Sequence, residues 1–222
     1  MQEKKKLKNT LIIVMIINFI LIPVLFELII TPRIQPYISS EWKPIIYLYP
    51  EVDTQVSVKV NHPENFTVTY PKYNNEWKVL AKPDGTLIDE NGRSYYSLYW
   101  ESEQNKKNSI KEDGFIVKGK DTTKFLEEKL YILGLNEREA NEFIIYWLPK
   151  LENNKYNYIR FQTMDEMNNN MKLTITPQPE TLIRVRMEYK PLTKKIKVKE
   201  QKLQPVQRHG FTVVEWGGTN IN

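Results

Sequence analysis

The chain reads as a mainly β protein of α+β type: an N-terminal transmembrane helix, then a β-sandwich or barrel-like domain carrying a short helical-pair insertion. Three observations predict this. Leu11 to Ile30 is an unbroken apolar run whose only ionisable residue is Glu27. Beyond it, short segments alternate apolar and polar residues and are divided by turn signals at a spacing of roughly 8–12 residues, as in two-sheet β domains. Between about 121 and 148 the apolar period lengthens to that of a helix.

Residues 1–10 form a basic tail with Lys4, Lys5, Lys6 and Lys8. A helix over 11–30, at ~1.5 Å per residue, is about as long as a hydrocarbon core is thick. The run exceeds the ~7–15 apolar residues of a cleaved signal, and Thr31-Pro32-Arg33 follows it in place of a small-residue cleavage site. An uncleaved signal anchor is therefore expected, with the lysines cytoplasmic and everything after it outside. Asn18 offers a hydrogen bond to a neighbouring helix, the expected route to a homo-oligomer. Glu27 lies near the outer surface and reaches interfacial water. Residues 31–43, with Pro32, Pro36 and Ser39-Ser40, read as a stalk.

The domain proper is expected over 44–222. Ile45 to Tyr49, bracketed by Pro44 and Pro50, reads as an edge strand or as one that starts and stops sharply. Thr54 to Val60 places Val56, Val58 and Val60 on one face, and Phe66 to Tyr70 alternates likewise. Trp77 to Ala81 follows a turn at Tyr70–Asn75. Lys82-Pro83-Asp84-Gly85 and Asp89-Glu90-Asn91-Gly92 are further turns, and Ser94 to Trp100 reads as one aromatic strand. Glu101 to Asp113 is a polar loop and Gly114 to Lys118 a short strand. Asp121 caps a helix with Phe125, Leu126, Leu130 and Leu133 on one stripe and Gly134 at its end. Asn136 with Glu139 forms a capping box for a second helix, whose stripe runs through Ala140, Phe143, Ile144 and Trp147 to Pro149; Phe143 to Trp147 also suits a strand. Strands are expected at Tyr156–Gln162, Met171–Thr176, Leu182–Tyr189, Ile196–Lys199 and Phe211–Trp216, the last stopped by Gly217-Gly218.

Three segments carry a resemblance: Lys43-Pro44-Ile45-Ile46-Tyr47-Leu48-Tyr49-Pro50, Tyr146-Trp147-Leu148-Pro149, and Gly210-Phe211-Thr212-Val213-Val214-Glu215-Trp216-Gly217-Gly218. Together they resemble an uncharacterised family of bacterial, mostly Gram-positive, secreted or membrane-anchored proteins. The resemblance implies an extracytoplasmic bacterial placement and no activity.

The chemistry is defined mostly by what is missing. With no cysteine there is no thiol nucleophile, thiolate metal site or disulfide. The two histidines, His62 and His209, stand far apart, so no metal site is expected. Phosphate loops and dinucleotide fingerprints are absent, and no cofactor is expected. The net charge of +5 comes partly from the N-terminal lysines and leaves the part after the helix only mildly basic, which argues against a nucleic-acid partner. Two carboxylates sit beside tryptophans, Glu101 after Trp100 and Glu215 before Trp216. Converging across a cleft, they would make a cell-wall glycan hydrolase. Five Trp and thirteen Tyr are the richest feature, with Tyr95, Tyr99 and Trp100 on the aromatic strand. From Arg184 to Lys202, eight basic residues including Lys195, Lys197 and Lys199 outweigh Glu188 and Glu200. That run suits either an anionic wall or lipid polymer or the guarding of an exposed strand edge. The leading expectation is an outer domain that binds a cell-envelope component: glycan, anionic polymer or protein. The alternatives are the glycan hydrolase on Glu101 and Glu215, and a structural subunit assembled through the membrane helix.

Overall fold

The computed structural model describes residues 43–102 and 109–221. The basic tail, the membrane helix with Asn18 and Glu27, and all of the stalk but Lys43 lie outside these residues. Among the described residues no helix is long and apolar enough to cross a membrane.

Two sheets and a helical layer make up the domain. One sheet orders its eight strands β12-β8-β9-β11-β13-β1-β7-β3, and the other orders five as β10-β2-β4-β5-β6. The larger is formed by β1 (Ile45–Tyr49), β3 (Phe66–Tyr70), β7 (Leu98–Ser102), β8 (Asp113–Val117), β9 (Tyr156–Phe161), β11 (Thr181–Leu192), β12 (Lys199–Glu200) and β13 (Thr212–Asn220). The smaller is formed by β2 (Thr54–Val60), β4 (Trp77–Ala81), β5 (Leu87–Ile88), β6 (Ser94–Tyr95) and β10 (Leu173–Thr176). Helices α1 (Thr122–Ile132) and α2 (Glu137–Leu151) cover one face of the large sheet. The small sheet covers much of the other, so two cores share the eight-stranded sheet as their common wall.

Strand alternation builds both cores. Along β1, Ile46 and Leu48 enter the sheet–sheet core while Tyr47 enters the helix-side core. Val56, Val58 and Val60 are buried as their period-two spacing requires. The Asn136–Glu139 capping box starts α2, and Gly134, at φ 88°, ends the helical stretch before it.

Four expectations are corrected. First, of the two readings of β1 the edge fails: it pairs along its full length with β13 and at Ile45 and Ile46 with β7. Its prolines flank the strand, where a missing N–H costs no ladder bond. Second, the aromatic run is broken, because the chain crosses from the small sheet at Tyr95 to the large one at Leu98. Third, the second helix does not stop at Pro149: α2 passes through it to Leu151, and Phe143 to Trp147 follow the helical of their two readings. Fourth, β13 continues past Trp216 through both glycines. A Cβ on Gly218 would lie 2.8 Å from the Trp147 ring, so the missing side chain is what lets α2 approach. Beyond these, β11 and β13 run parallel over nine residue pairs, so the large sheet is mixed. A further helix, α3 (Met164–Asn170), starts at a Thr163–Glu166 capping box that the sequence reading passed over.

Candidate functional site

A groove of about 1000 Å³ runs along the outer edge of β8. Its floor is Phe115, Ile116 and Val117, with Phe125 of α1 on one wall and Ile196 and Val198 on the other. Lysines rim it from three directions: Lys118 after β8, Lys124 and Lys129 on α1, and Lys195 and Lys197 on the segment leading to β12. Asp121, Glu128 and Glu200 are the acids of the lining.

The groove exists because β12 is short. It pairs in parallel only with Asp113 and Gly114, which leaves the stretch around Ile116 with β9 on one side and no strand on the other. The segment from 193 to 210 then crosses the helix-side face as a strap. Gln201 fixes it by donating to the Phe161 carbonyl at 2.6 Å and accepting from the Phe161 N–H at 2.9 Å. Arg208 anchors its far end on the Gly134 carbonyl and on Glu139.

Not all rim lysines are equally available. Lys129 pairs with Glu128 at 2.8 Å and lies 5.4 Å from the Phe115 ring centre and 5.9 Å from that of Phe125. It therefore closes the apolar wall, and its charge holds the Glu128 carboxyl below the usual range. Lys118, Lys124, Lys195 and Lys197 form no ion pair among the described residues. Unpaired cations on facing walls above an apolar floor suit an extended chain with charges spaced along it. No hydroxyl–histidine or paired-carboxylate arrangement lines the groove.

The sequence-derived residues fall as follows. Lys195 and Lys197 are groove residues. Lys199 lies in the edge strand β12, the guarding position also expected for such lysines. Arg184 and Arg186 leave the basic run altogether: both are buried and paired toward Glu215. Tyr95 is half-buried and donates to Asp89 at 3.0 Å, in the small sheet. Tyr99 donates to Glu101, in the large one. Trp100 is fully buried against Phe66. Tyr95, Tyr99 and Trp100 thus form no common platform.

Glu101 and Glu215 do not converge. Glu101 projects to the helix side, where it pairs with Lys43 at 2.9 Å beside Tyr146 of α2. Glu215 projects to the opposite face and accepts from Arg184 Nε at 2.6 Å. The sheet itself separates the two carboxylates, and the paired-acid hydrolase loses its geometry.

The three segments that carry the resemblance meet at the seam between β1, β13 and α2. Trp216 Nε1 donates to the Tyr47 hydroxyl at 3.2 Å, which donates to Glu142 at 2.5 Å. Burial first, and Glu142 second, push the Tyr47 phenol well above its ordinary range; burial and Glu139 do the same to Tyr49. Burial opposes the charge of Lys43, but Glu101 outweighs it and holds the ammonium above the usual lysine range. These phenols stay neutral and the lysine charged, as suits a packed seam.

The sequence reading missed Lys118, Lys124 and Lys129, which stand far in sequence from Lys195 and Lys197. No local spacing signals that β8 and β12 adjoin, so only the sheet order brings the two lysine sets together. Among the described residues no group of three His, Asp or Glu side chains is arranged to hold a metal ion. Comparison of the chain with protein-family models, curated proteins and solved structures returns no match.

Proposed function

We propose that the chain is a membrane-anchored bacterial protein whose outer domain holds an anionic polymer of the cell envelope in the β8 groove. The observation that carries this reading is the set of unpaired lysines on facing walls, Lys124 against Lys195 and Lys197, over an apolar floor. The lysine tail and apolar run of the N-terminal sequence support the anchor and its orientation. The resemblance to bacterial extracytoplasmic proteins supports the compartment. The test uses the full chain in lipid nanodiscs, titrated with labelled poly(glycerol phosphate) and with an uncharged glycan of similar length. The polyanion is expected to bind, more weakly as salt rises, and the neutral chain not to bind. Reversing both Lys195 and Lys197 to Glu is expected to weaken binding about tenfold or more, each reversal exchanging an attraction for a repulsion. Equal binding by wild type and the double variant would remove the groove from the account.

A further inference from the structure

The strand registers fix which connections share an end of the eight-stranded sheet. β1 begins at Ile45 opposite Trp216 and Tyr99, so the chain toward the N-terminus departs from that end. Tyr156 pairs with Leu192 and Val117 with Asn157, which brings the β8–α1 and α2–β9 connections to the same end. The two connections touch: a Cβ on Gly119 would lie 2.1 Å from the Asn154 carbonyl oxygen, and Asn157 Nδ2 donates to the Thr122 hydroxyl at 3.5 Å.

This end is basic. Lys118, Lys120, Lys150 and Lys155 are exposed there against Asp121, Glu152 and, before β3, Glu64, while Lys43 is held by Glu101. The other end is acidic. Glu51 and Asp53 follow β1, Glu180 precedes β11, and Glu137 opens α2. Of the cations there, Arg138 is paired with Glu142, Arg208 with Glu139, and Lys82 is offset by Asp84. The domain is therefore polarised along its strands, with the positive pole where the tether enters.

Twelve residues separate Ile30 from Lys43. Even fully extended they span only about 40 Å, so an anchored chain keeps its basic end close to the bilayer. We propose that this end docks on anionic lipid headgroups, turning the acidic end outward. The proposal rests on the membrane-anchored reading above and is independent of the groove's ligand. Attraction to an anionic leaflet acts within a Debye length of roughly 8–10 Å, and each lysine brought that close favours the docked state about fivefold.

The absence of cysteine lets one introduced thiol carry one label. Asn153→Cys marks the basic end and Asp53→Cys the acidic end, each in the full chain reconstituted into vesicles with a headgroup-labelled energy acceptor. Vesicles are of phosphatidylcholine alone or with a minority of phosphatidylglycerol. Energy transfer from position 153 is expected to rise on the anionic vesicles and fall again at high salt, and to exceed that from position 53. Reversing Lys120, Lys150 and Lys155 to Glu should abolish the rise, at about fivefold or more per residue in the docked-to-undocked ratio. Equal transfer from position 153 on both vesicle types, or a triple variant that behaves as wild type, overturns the docking. Flotation separates this failure from that of the anchor. A chain that floats with neutral vesicles but shows no rise sinks the docking alone. One that floats with neither sinks the anchored reading and the docking with it.

Discussion

The two faces of the eight-stranded sheet come from the same alternating strands but are held by different chemistry. On the helix side, β11 contributes Ile183, Val185, Met187 and Tyr189, β9 contributes Ile159 and Phe161, and β13 contributes Val214 and Trp216. On the other side the same strands contribute Arg184, Arg186 and Glu188, Arg160, and Glu215, joined by Gln162 just past β9, all buried. Where the small sheet reaches, that second face is apolar, with Ile46, Leu48, Leu98 and Val213. Beyond its reach α3 takes over, burying Met167 and otherwise held by polar and ionic contacts. Arg160 bonds Glu166 at 2.9 Å and Arg184 bonds Asn168 at 2.9 Å. Apolar area holds the helices but is indifferent to small shifts. Directional bonds fix a seven-residue helix too short to bury much surface of its own.

The largest expected effect tests the ionic face. Arg184 gives Nε to Glu215, Nη1 to Asn168 and Nη2 to the Met171 carbonyl, and Arg186 Nη2 lies 4.0 Å from the same Glu215. Glu215→Leu leaves two buried guanidinium groups facing each other without their shared carboxylate. It is expected to cost about 3–5 kcal/mol in denaturant unfolding. Pairing it with Arg184→Met removes one uncompensated charge and should recover a large part of that loss. Strictly additive costs would show that the ions do not act as a pair.

The helix face should answer differently. Leu130 is completely buried between α1 and the sheet. Leu130→Ala is expected to cost about 2–5 kcal/mol through lost contacts and a residual cavity. No single charge change on the other face should rescue it, and its cost should be the same at every pH where the protein folds. A cost that varies with pH would mean that the two faces are coupled through the sheet.

The contrast between the faces explains what the sequence disclosed. Val56, Val58 and Val60, the α1 stripe and the α2 capping box were legible because each is a local pattern answered by a local cause. The position of β1 was not, because flanking prolines suit an edge and a sharply bounded inner strand alike, and only the partners on both sides decide. The run Arg184, Arg186, Glu188 looked like a solvated basic strand, since alternation tells which residues share a face but not whether a lid covers that face. The lid includes α3, whose sequence Met164 to Asn170 has little apolar periodicity and is specified by its cap and by two arginines. The groove was half visible: Lys195 and Lys197 stood out as charge, while their counterparts on α1 and β8 depend on a strand order that leaves no trace in spacing.

The smallest expected effect separates the faces most sharply, because it depends on pH. Burial works to raise the carboxyl of Glu166, but the Thr163 backbone N–H and the Arg160 guanidinium outweigh it and hold it below the usual glutamate range. A carboxylate depressed in the folded state contributes stability above its unfolded value of about 4.3 and loses it as pH falls through the folded one. With a third of the side chain exposed, solvent screening keeps the contribution near 1 kcal/mol. Glu166→Gln should therefore be less stable than wild type by about 1 kcal/mol at neutral pH. Below about pH 4 the wild-type curve should descend to meet it, since the protonated glutamate is then no better a partner for Arg160 than the amide. Leu130→Ala, measured beside it, should run parallel to wild type over the same range. If the Glu166→Gln curve ran parallel as well, the tie between α3 and the sheet would be one of packing rather than charge.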